Sequence, residues 1–392
     1  MQRMSKTPLA AALICVMAMP YAVMGQYSYN YGAQPAQPAQ PGYAGASYYY
    51  GAPQQQQYQQ PQQQRPASGY GQQQGPAYGQ PAMQPARTAA ASGLGGGSFN
   101  INFPSEPGDD VDVLRLQVFL DYNGFSPGEI DGKWGYNTER ALFVYQKMNG
   151  MEPTGQLDSK ILSRLDSFKD GYLLEYSVSK DDLSGRVGAI PRTYPEQSKL
   201  SWLPYETRAE QLAEKFHMSQ TLLRKMNPGV NLEGLSPGQK LLVLNVADGI
   251  DTKRGKVSLI RISKYNKWVM AYDADGNLMF YYPCTLGSEK DPLPVGKTYA
   301  ITTPVHNPPF KYKPENMWDD ELGREYDIPP GPNSPVGNIW IGTTRKSVGI
   351  HGTPNPENIS KNNSHGCIRL TNWDANQLGK RVSPGVKLEF VQ

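Results

Sequence analysis

From about Gln26 to Gly97 the chain is a run of Gln, Pro, Tyr, Gly and Ala, as in QPAQPAQPGYAGASYYYGAPQQQQYQQPQQQ, with almost no Leu, Ile, Val or Phe and hardly any charge. Such a stretch cannot bury enough apolar surface to offset the conformational entropy lost on ordering it. It therefore reads as a disordered tether over residues 26–98, with local polyproline character. Self-association through Gln and Tyr is the other reading this composition allows. Of the 392 residues, packed structure is confined to those after the tether, a length that suits two or three domains of ordinary size.

Residues 1–25 carry Arg3 and Lys6, an apolar run from Pro8 to Met19, and the small residues Ala22 and Gly25. This is the layout of a secretory signal peptide, and the run is short for a bilayer span; an uncleaved anchor is the alternative. Cys15 follows Leu13 and Ile14, not the small residue that a lipoprotein site needs, so it is expected to leave with the signal peptide. No later segment is apolar for long enough to cross a membrane. The net charge of +3 is small and its Lys and Arg are scattered among Asp and Glu, so no basic stripe for nucleic acid exists. Export is therefore expected.

At Asp109 the pattern changes. Apolar residues at Val113, Leu116, Val118, Phe119 and Leu120, then at Ala141, Leu142, Val144 and Tyr145, then at Ile161, Leu162 and Leu165 recur at helical spacing and predict a three-helix module over residues 108–167. Asn137 or Thr138 is the expected cap of the second helix. Its run DGKWGYNTERA, Asp131 to Ala141, resembles the peptidoglycan-binding domain type 1; a helical spacer without a ligand is the other reading. Residues 183–247 predict helices at Ala209–Phe216 and Ser219–Lys225 and a strand at Lys240–Leu244. LAEKFHMS, NPG and PGQKLLV are similar to the later part of a LysM motif, without its opening strand, and glycan binding and scaffolding stay open. His217 is expected on the surface or at a helix cap.

From Lys256 the chain alternates apolar and polar residues, turns at Asp275-Gly276-Asn277 and continues through short segments at Thr298–Thr302, Asn338–Gly342, Gly349–His351 and Val386–Phe390. Residues 255–391 are thus expected to form a mostly β domain, sandwich or barrel-like, with a single helix at TNWDANQLGKRV. The fold class overall is multidomain α+β.

Only three cysteines and four histidines are present, yet His365 and Cys367 sit together in NNSHGC, with His351 upstream in IHGT. A cysteine is a nucleophile as a thiolate or beside a base. A histidine within reach supplies that base, a third group fixes its tautomer, and Gly366 lets the backbone turn its amides toward an oxyanion. Zinc on Cys367, His365 and His351 is the competing chemistry, although a fourth ligand and the usual spacings are missing. A disulfide to Cys284, which lies in an apolar strand, is the other.

GIHGTPNPENISKNNSHGCIRLTNWDANQL, with PLPVGKTYAITT and PPGPNSPVGNIWIG upstream of it, resembles the catalytic signature of the L,D-transpeptidase (YkuD-type) family. The resemblance implies Cys367 as nucleophile, His351 as general base, the Gly352 carbonyl as its orienter, and amides around Gly366 and Cys367 as the oxyanion hole. Ser364 and His365 would shape the loop, and Arg369 would hold it or meet a substrate carboxylate. Ser364, Arg369, Trp340, His306 and Tyr312 make up the expected substrate contacts, with Trp318 beside Tyr312; a plain loop role is the alternative for His306. Asn358 and Ser360 depart from the family's Ser and Gly. No metal or cofactor is implied. The implied substrate is peptidoglycan, glycan and stem peptides, with a wall-anchored protein as one acceptor. An L,D-carboxypeptidase and a catalytically inactive wall-binding protein remain the alternatives.

Overall fold

The first three apolar clusters close on one another as helices in the computed structural model, which describes residues 110–168, 171–246, 255–287, 294–317 and 322–391. The signal peptide and tether expected at residues 1–98, and Trp318, lie outside the described residues. Helices α1 (Val111–Tyr122), α2 (Tyr136–Met148) and α3 (Ser159–Phe168) bury Leu116, Leu120, Leu142, Ile161 and Leu165 in one cluster. Asp110 caps α1, its Oδ1 accepting from the Asp112 amide at 2.8 Å, as an acidic N-cap should. Neither Asn137 nor Thr138 caps α2; Gly135 does, without a side-chain bond. Both residues are drawn elsewhere. Buried Gln117 donates to Thr138 Oγ1 at 3.1 Å, and Asn137 Nδ2 donates to the Ile359 carbonyl at 3.3 Å.

The next segment contains β1 (Leu173–Ser177), α4 (Lys180–Ser184), α5 (Tyr194–Gln197), α6 (Arg208–Lys215), α7 (Gln220–Met226) and β2 (Lys240–Leu244). β1 pairs antiparallel with β2, from Leu173 opposite Leu244 to Ser177 opposite Lys240. β2 therefore pairs with a strand upstream of the expected segment, and the long excursion through α4 and α5 separates that strand from α6. Its core takes in Leu114, Val118 and Ile130 of the helical module. His217, expected at the surface, is buried. It leaves α6 with φ 54°, its Nδ1 meets Asp121 Oδ2 at 3.0 Å, and its ring stacks on Trp373 at 5.1 Å.

Beyond residue 255 come β3 (Leu259–Ser263), β4 (Trp268–Tyr272), β5 (Leu278–Pro283), β6 (Thr298–Ala300), β7 (Val305–His306), β8 (Phe310–Tyr312) and β9 (Tyr326–Ile328). They are followed by β10 (Ile339–Gly342), β11 (Gly349–His351), β12 (Ile368–Arg369), α8 (Asn372–Gly379) and β13 (Lys387–Val391). One sheet has the order β5-β4-β3-β13-β6 and another β12-β11-β10-β7, while β8 and β9 form a separate hairpin. Ile260, Ile262, Val269, Phe280 and Phe390 of the first sheet meet Ile339, Ile341, Ile350 and Ile368 of the second, with Leu378 of α8 between them. Bridges at Thr285–Arg369 and Ile301–Thr343 tie the sheets together. The result is a strand-rich sandwich, barrel-like at its corners.

The edge strand β5 is covered. The Tyr281 amide donates to the Gly124 carbonyl and the Ser126 amide to the Tyr281 carbonyl, each at 2.9 Å, and the Tyr281 ring joins the core of the helical module. An uncovered edge would template aggregation, and burying that ring contributes roughly 2–3 kcal/mol. The helical module is thus fastened to the β domain by backbone and core alike.

Candidate active site

Strand pairing decides where the reactive residues lie. β11 and β12 run parallel, with Ile350 opposite Ile368 and His351 opposite Arg369. Side chains alternate faces along a strand. Since Ile350 and Ile368 point into the core, His351 and Arg369 project from the outer face, and so does Cys367, one residue before Ile368. On β10, Trp340 is paired with His351 while Ile339 and Ile341 are in the core, which puts Trp340 on that outer face as well. Two segments far apart in sequence thereby deliver a thiol, an imidazole, a guanidinium and an indole to one surface.

His351 is held on several sides. Its Nδ1 lies 2.6 Å from the Gly352 carbonyl oxygen; a carbonyl only accepts, so Nδ1 carries the hydrogen and Nε2 keeps its lone pair. The Trp340 ring stacks on the imidazole, 5.5 Å between centroids and 16° between planes. That stack requires Gly349, where a Cβ would come within 2.4 Å of Trp340 Cζ2. Burial, and then the nearby Arg369 guanidinium, push the His351 pKa down to about 3, against the opposing pull of the Gly352 hydrogen bond. The imidazole is neutral at any physiological pH.

The cysteine loop is fixed by its own hydrogen bonds. Ser364 Oγ donates to the Cys367 carbonyl at 2.6 Å and accepts from the Gly366 amide at 3.3 Å. Gly366 has φ 110°, a conformation that favours glycine. Ser364 is only 1% exposed, so it shapes the turn and is closed to a substrate. Cys367 is half-buried and its Sγ lies 3.6 Å from the Ser347 carbonyl oxygen. Cys284 is a fully buried free thiol whose pKa burial pushes up; the two cysteines are not joined. Among the described residues no group of three His, Cys, Asp or Glu is gathered to hold a metal ion.

Of the other expected contacts, Arg369 is half-buried and its Nε has no hydrogen-bond partner. His306 is exposed on β7, opposite Ile339. Tyr312 is 5% exposed and its ring lies 5.1 Å from that of Tyr194. As a packing residue of the β8–β9 hairpin it is not open to a ligand. His365 is half-buried in the turn. Sequence reasoning missed the Ser347 carbonyl and Asn372. Asn372, fully buried at the start of α8, would leave 2.0 Å between its Oδ1 and a Cβ on Gly352.

Ser360, where the family pattern has glycine, sits at φ 67°. Its amide donates to Thr285 Oγ1 at 3.0 Å and its carbonyl accepts from Lys267 Nζ at 3.1 Å. Glycine keeps both backbone bonds and relieves the left-handed strain. Ser360→Gly is expected to stabilise the chain by about 1 kcal/mol in denaturant titration; a loss of stability would show that the serine side chain matters more than its backbone.

A concavity of about 270 Å³ lies where the three segments meet and is lined by Glu129, Glu210, Glu214, Glu357, Asn333 and Trp373 among others. Loss of hydration raises Glu129 to about 7, helped by Glu357 and Asp131. Loss of hydration likewise raises Glu214 and Asp374 to about 7, opposed by hydrogen bonds from Asn372 and Tyr205 in the first case and by His217 and Ser126 in the second, where Asp121 adds to the rise. From about pH 4 to pH 7 the folded chain keeps protons on these carboxyls that the unfolded chain has released, so stability falls as pH rises. His351 has the opposite sign, from about pH 3 to pH 6.5, because there the unfolded chain binds the proton. Three groups outweigh one, and thermal denaturation should give a lower midpoint near pH 7.5 than near pH 5. A higher midpoint near pH 7.5 would contradict the burial of these carboxyls.

Residues 256–389 match the family model for the L,D-transpeptidase catalytic domain, YkuD, and residues 109–165 match that of a peptidoglycan-binding domain. The chain is 26% identical over 187 residues to a Bacillus licheniformis protein named as an L,D-transpeptidase, YkuD, covering 48% of this chain and 94% of that protein. With its Bacillus subtilis counterpart the identity is 26% over 177 residues, covering 45% and 89%. Among solved structures, an L,D-transpeptidase from Mycobacterium smegmatis aligns with a TM-score of 0.28 at 21% identity, covering 34% of this chain and 58% of that one. The chain therefore spans less than two thirds of that mycobacterial protein.

Proposed function

We propose, from the match of residues 256–389 to the L,D-transpeptidase catalytic domain and of residues 109–165 to a peptidoglycan-binding domain, that the chain is an L,D-transpeptidase that transfers peptidoglycan stem peptides through a thioester on Cys367. What supports this reading is His351, neutral and with Nε2 unprotonated, on β11 beside β12, the strand that Cys367 immediately precedes. His351 Nε2 takes the thiol proton as Sγ attacks the carbonyl between the third, diamino residue of a tetrapeptide stem and its terminal D-Ala. With the Gly366 amide given to Ser364 Oγ, it is the Cys367 amide that this reading assigns to the oxyanion. Collapse breaks the amide bond, and the imidazolium returns its proton to the departing D-Ala amine.

A base whose pKa is about 3 accepts a proton reluctantly from a thiol. Arg369 is one cause of that depression, and its Nε lacks a partner. A substrate carboxylate bound at Arg369 would neutralise this charge and raise the basicity of His351 as the complex forms. Substrate binding and base activation are then one event.

An amine acceptor, deprotonated by His351, resolves the thioester to give a 3→3 crosslink, a wall-attached protein or an exchanged D-amino acid; water gives the tripeptide. The helical module raises the local concentration of enzyme on the polymer, in the periplasm or cell wall to which the N-terminal signal directs it. Disaccharide-tetrapeptide incubated with the full chain should yield free D-Ala and crosslinked dimers. Tripeptide alone, with an amine acceptor in excess, would make the protein a carboxypeptidase, and no turnover at all would favour a wall-binding role.

A further inference from the structure

Gly352, whose carbonyl orients His351, packs against Asn372 of α8, and Asn372 is held in turn by a residue from outside the β domain. Gly352 and Gly337 approach the Asn372 side chain so closely that a Cβ on either would fall 2.0 or 2.1 Å from Asn372 Oδ1. Asn372 Oδ1 also accepts from the Asn338 amide at 3.4 Å. Its Nδ2 donates to Glu214 Oε2 at 2.9 Å and to the Pro332 carbonyl at 3.3 Å. Glu214 lies on α6 of the middle segment, and its other oxygen accepts from Tyr205 Oη at 2.7 Å. Glu214 is therefore gripped at both oxygens; Oε2 is an acceptor both in the carboxylate and as the carbonyl oxygen of the neutral acid, so Nδ2 is the Asn372 atom that faces it.

We infer that Glu214 is a positioning residue for the acylation reaction: the middle segment braces Asn372 through Glu214, and Asn372 in turn sets the Gly352 carbonyl that holds the reactive tautomer of His351. The inference rests on the reading of His351 as the base. It assigns residues 171–246 a part in catalysis that does not depend on their binding glycan. A flipped or displaced Asn372 amide would press on Gly352 and shift the carbonyl, and small misplacements of a catalytic group cost large factors in rate.

The test compares full-chain Glu214→Gln, Glu214→Ala, Asn372→Asp and the Glu214→Gln/Asn372→Asp pair, reading Cys367 acylation by mass spectrometry and the His351 tautomer by ring ¹⁵N shifts. Glutamine can accept from Asn372 and donate to the Tyr205 oxygen, so E214Q should acylate within about twofold of the native chain. E214A should lose roughly 10- to 100-fold in the first-order acylation step with KM little changed, and should show mixed tautomers at His351. Asn372→Asp, assayed well above pH 7 where Glu214 is ionised, places two carboxylates face to face and should lose as much; adding E214Q supplies a donor and should restore most of it. Should E214A fail to fold, the N372D comparison alone decides. Native-like acylation and tautomer in E214A, or no recovery in the pair, would overturn the inference. A native chain that never acylates would instead refute the proposed function, while the tautomer readout would still judge the brace.

Discussion

Cys367→Ala is expected to abolish acyl-enzyme formation and D-Ala release, a loss on the order of 10⁴-fold or more, because the proposed covalent intermediate forms on its thiol. Stability should barely move. Cys367 is half-buried on the outer face of the sheet, outside the sandwich core, and substitutions away from cores and special backbone positions usually stay within about 0.5 kcal/mol. The remaining cysteine of the β domain, Cys284, is sealed in the core with its pKa raised, so it offers no substitute. Activity persisting in the variant would move the chemistry to another residue.

His351→Ala should lower the acylation rate by roughly 10²- to 10⁴-fold, the usual contribution of a positioned general base, while binding of the stem peptide is retained. The stability consequence has a definite sign. In the native chain the unfolded state binds a proton at this position from about pH 6.5 down to pH 3 that the folded site refuses, and stability drains away over that window. With alanine that particular loss is gone, so the variant should decline less steeply toward acid. His365→Ala, by contrast, should retain acylation within roughly the range of a loop substitution, since the imidazole tied to Gly352 is that of His351. Equal losses from both histidines would mean that the turn, and not a base, had been damaged.

Much of the β domain is legible in the sequence. The alternation in KVSLIRISKYNKWVMAY and the Asp-Gly-Asn turn are local signals, and β3, β4 and β5 formed where they pointed. The proposed pairing of Cys367 with His351 rests on two motifs, IHGT and SHGC, at a spacing that chance rarely supplies, and on the pairing of β11 with β12. What the sequence hid is non-local. β1 lies apart from its partner β2, with α4, α5, α6 and α7 between them. The Glu214–Asn372 bond joins residues 158 positions apart, and nothing in α6 advertises a partner in α8. His217 misled because a polar residue after a helix reads as solvent-facing, whereas Asp121 and Trp373 from two other segments enclose it. Tyr312 misled in the same way: its tyrosine partners lie on α5 and β9.

Thioester formation on Cys367 is open to intact-protein mass spectrometry of the full chain, kept reduced and mixed with disaccharide-tetrapeptide. The expected spectrum shows an adduct of the substrate less its terminal D-Ala, localised to Cys367 after digestion and absent from Cys367→Ala. No adduct together with no D-Ala released, from a folded and reduced protein, would rule out cysteine acyl transfer by this chain.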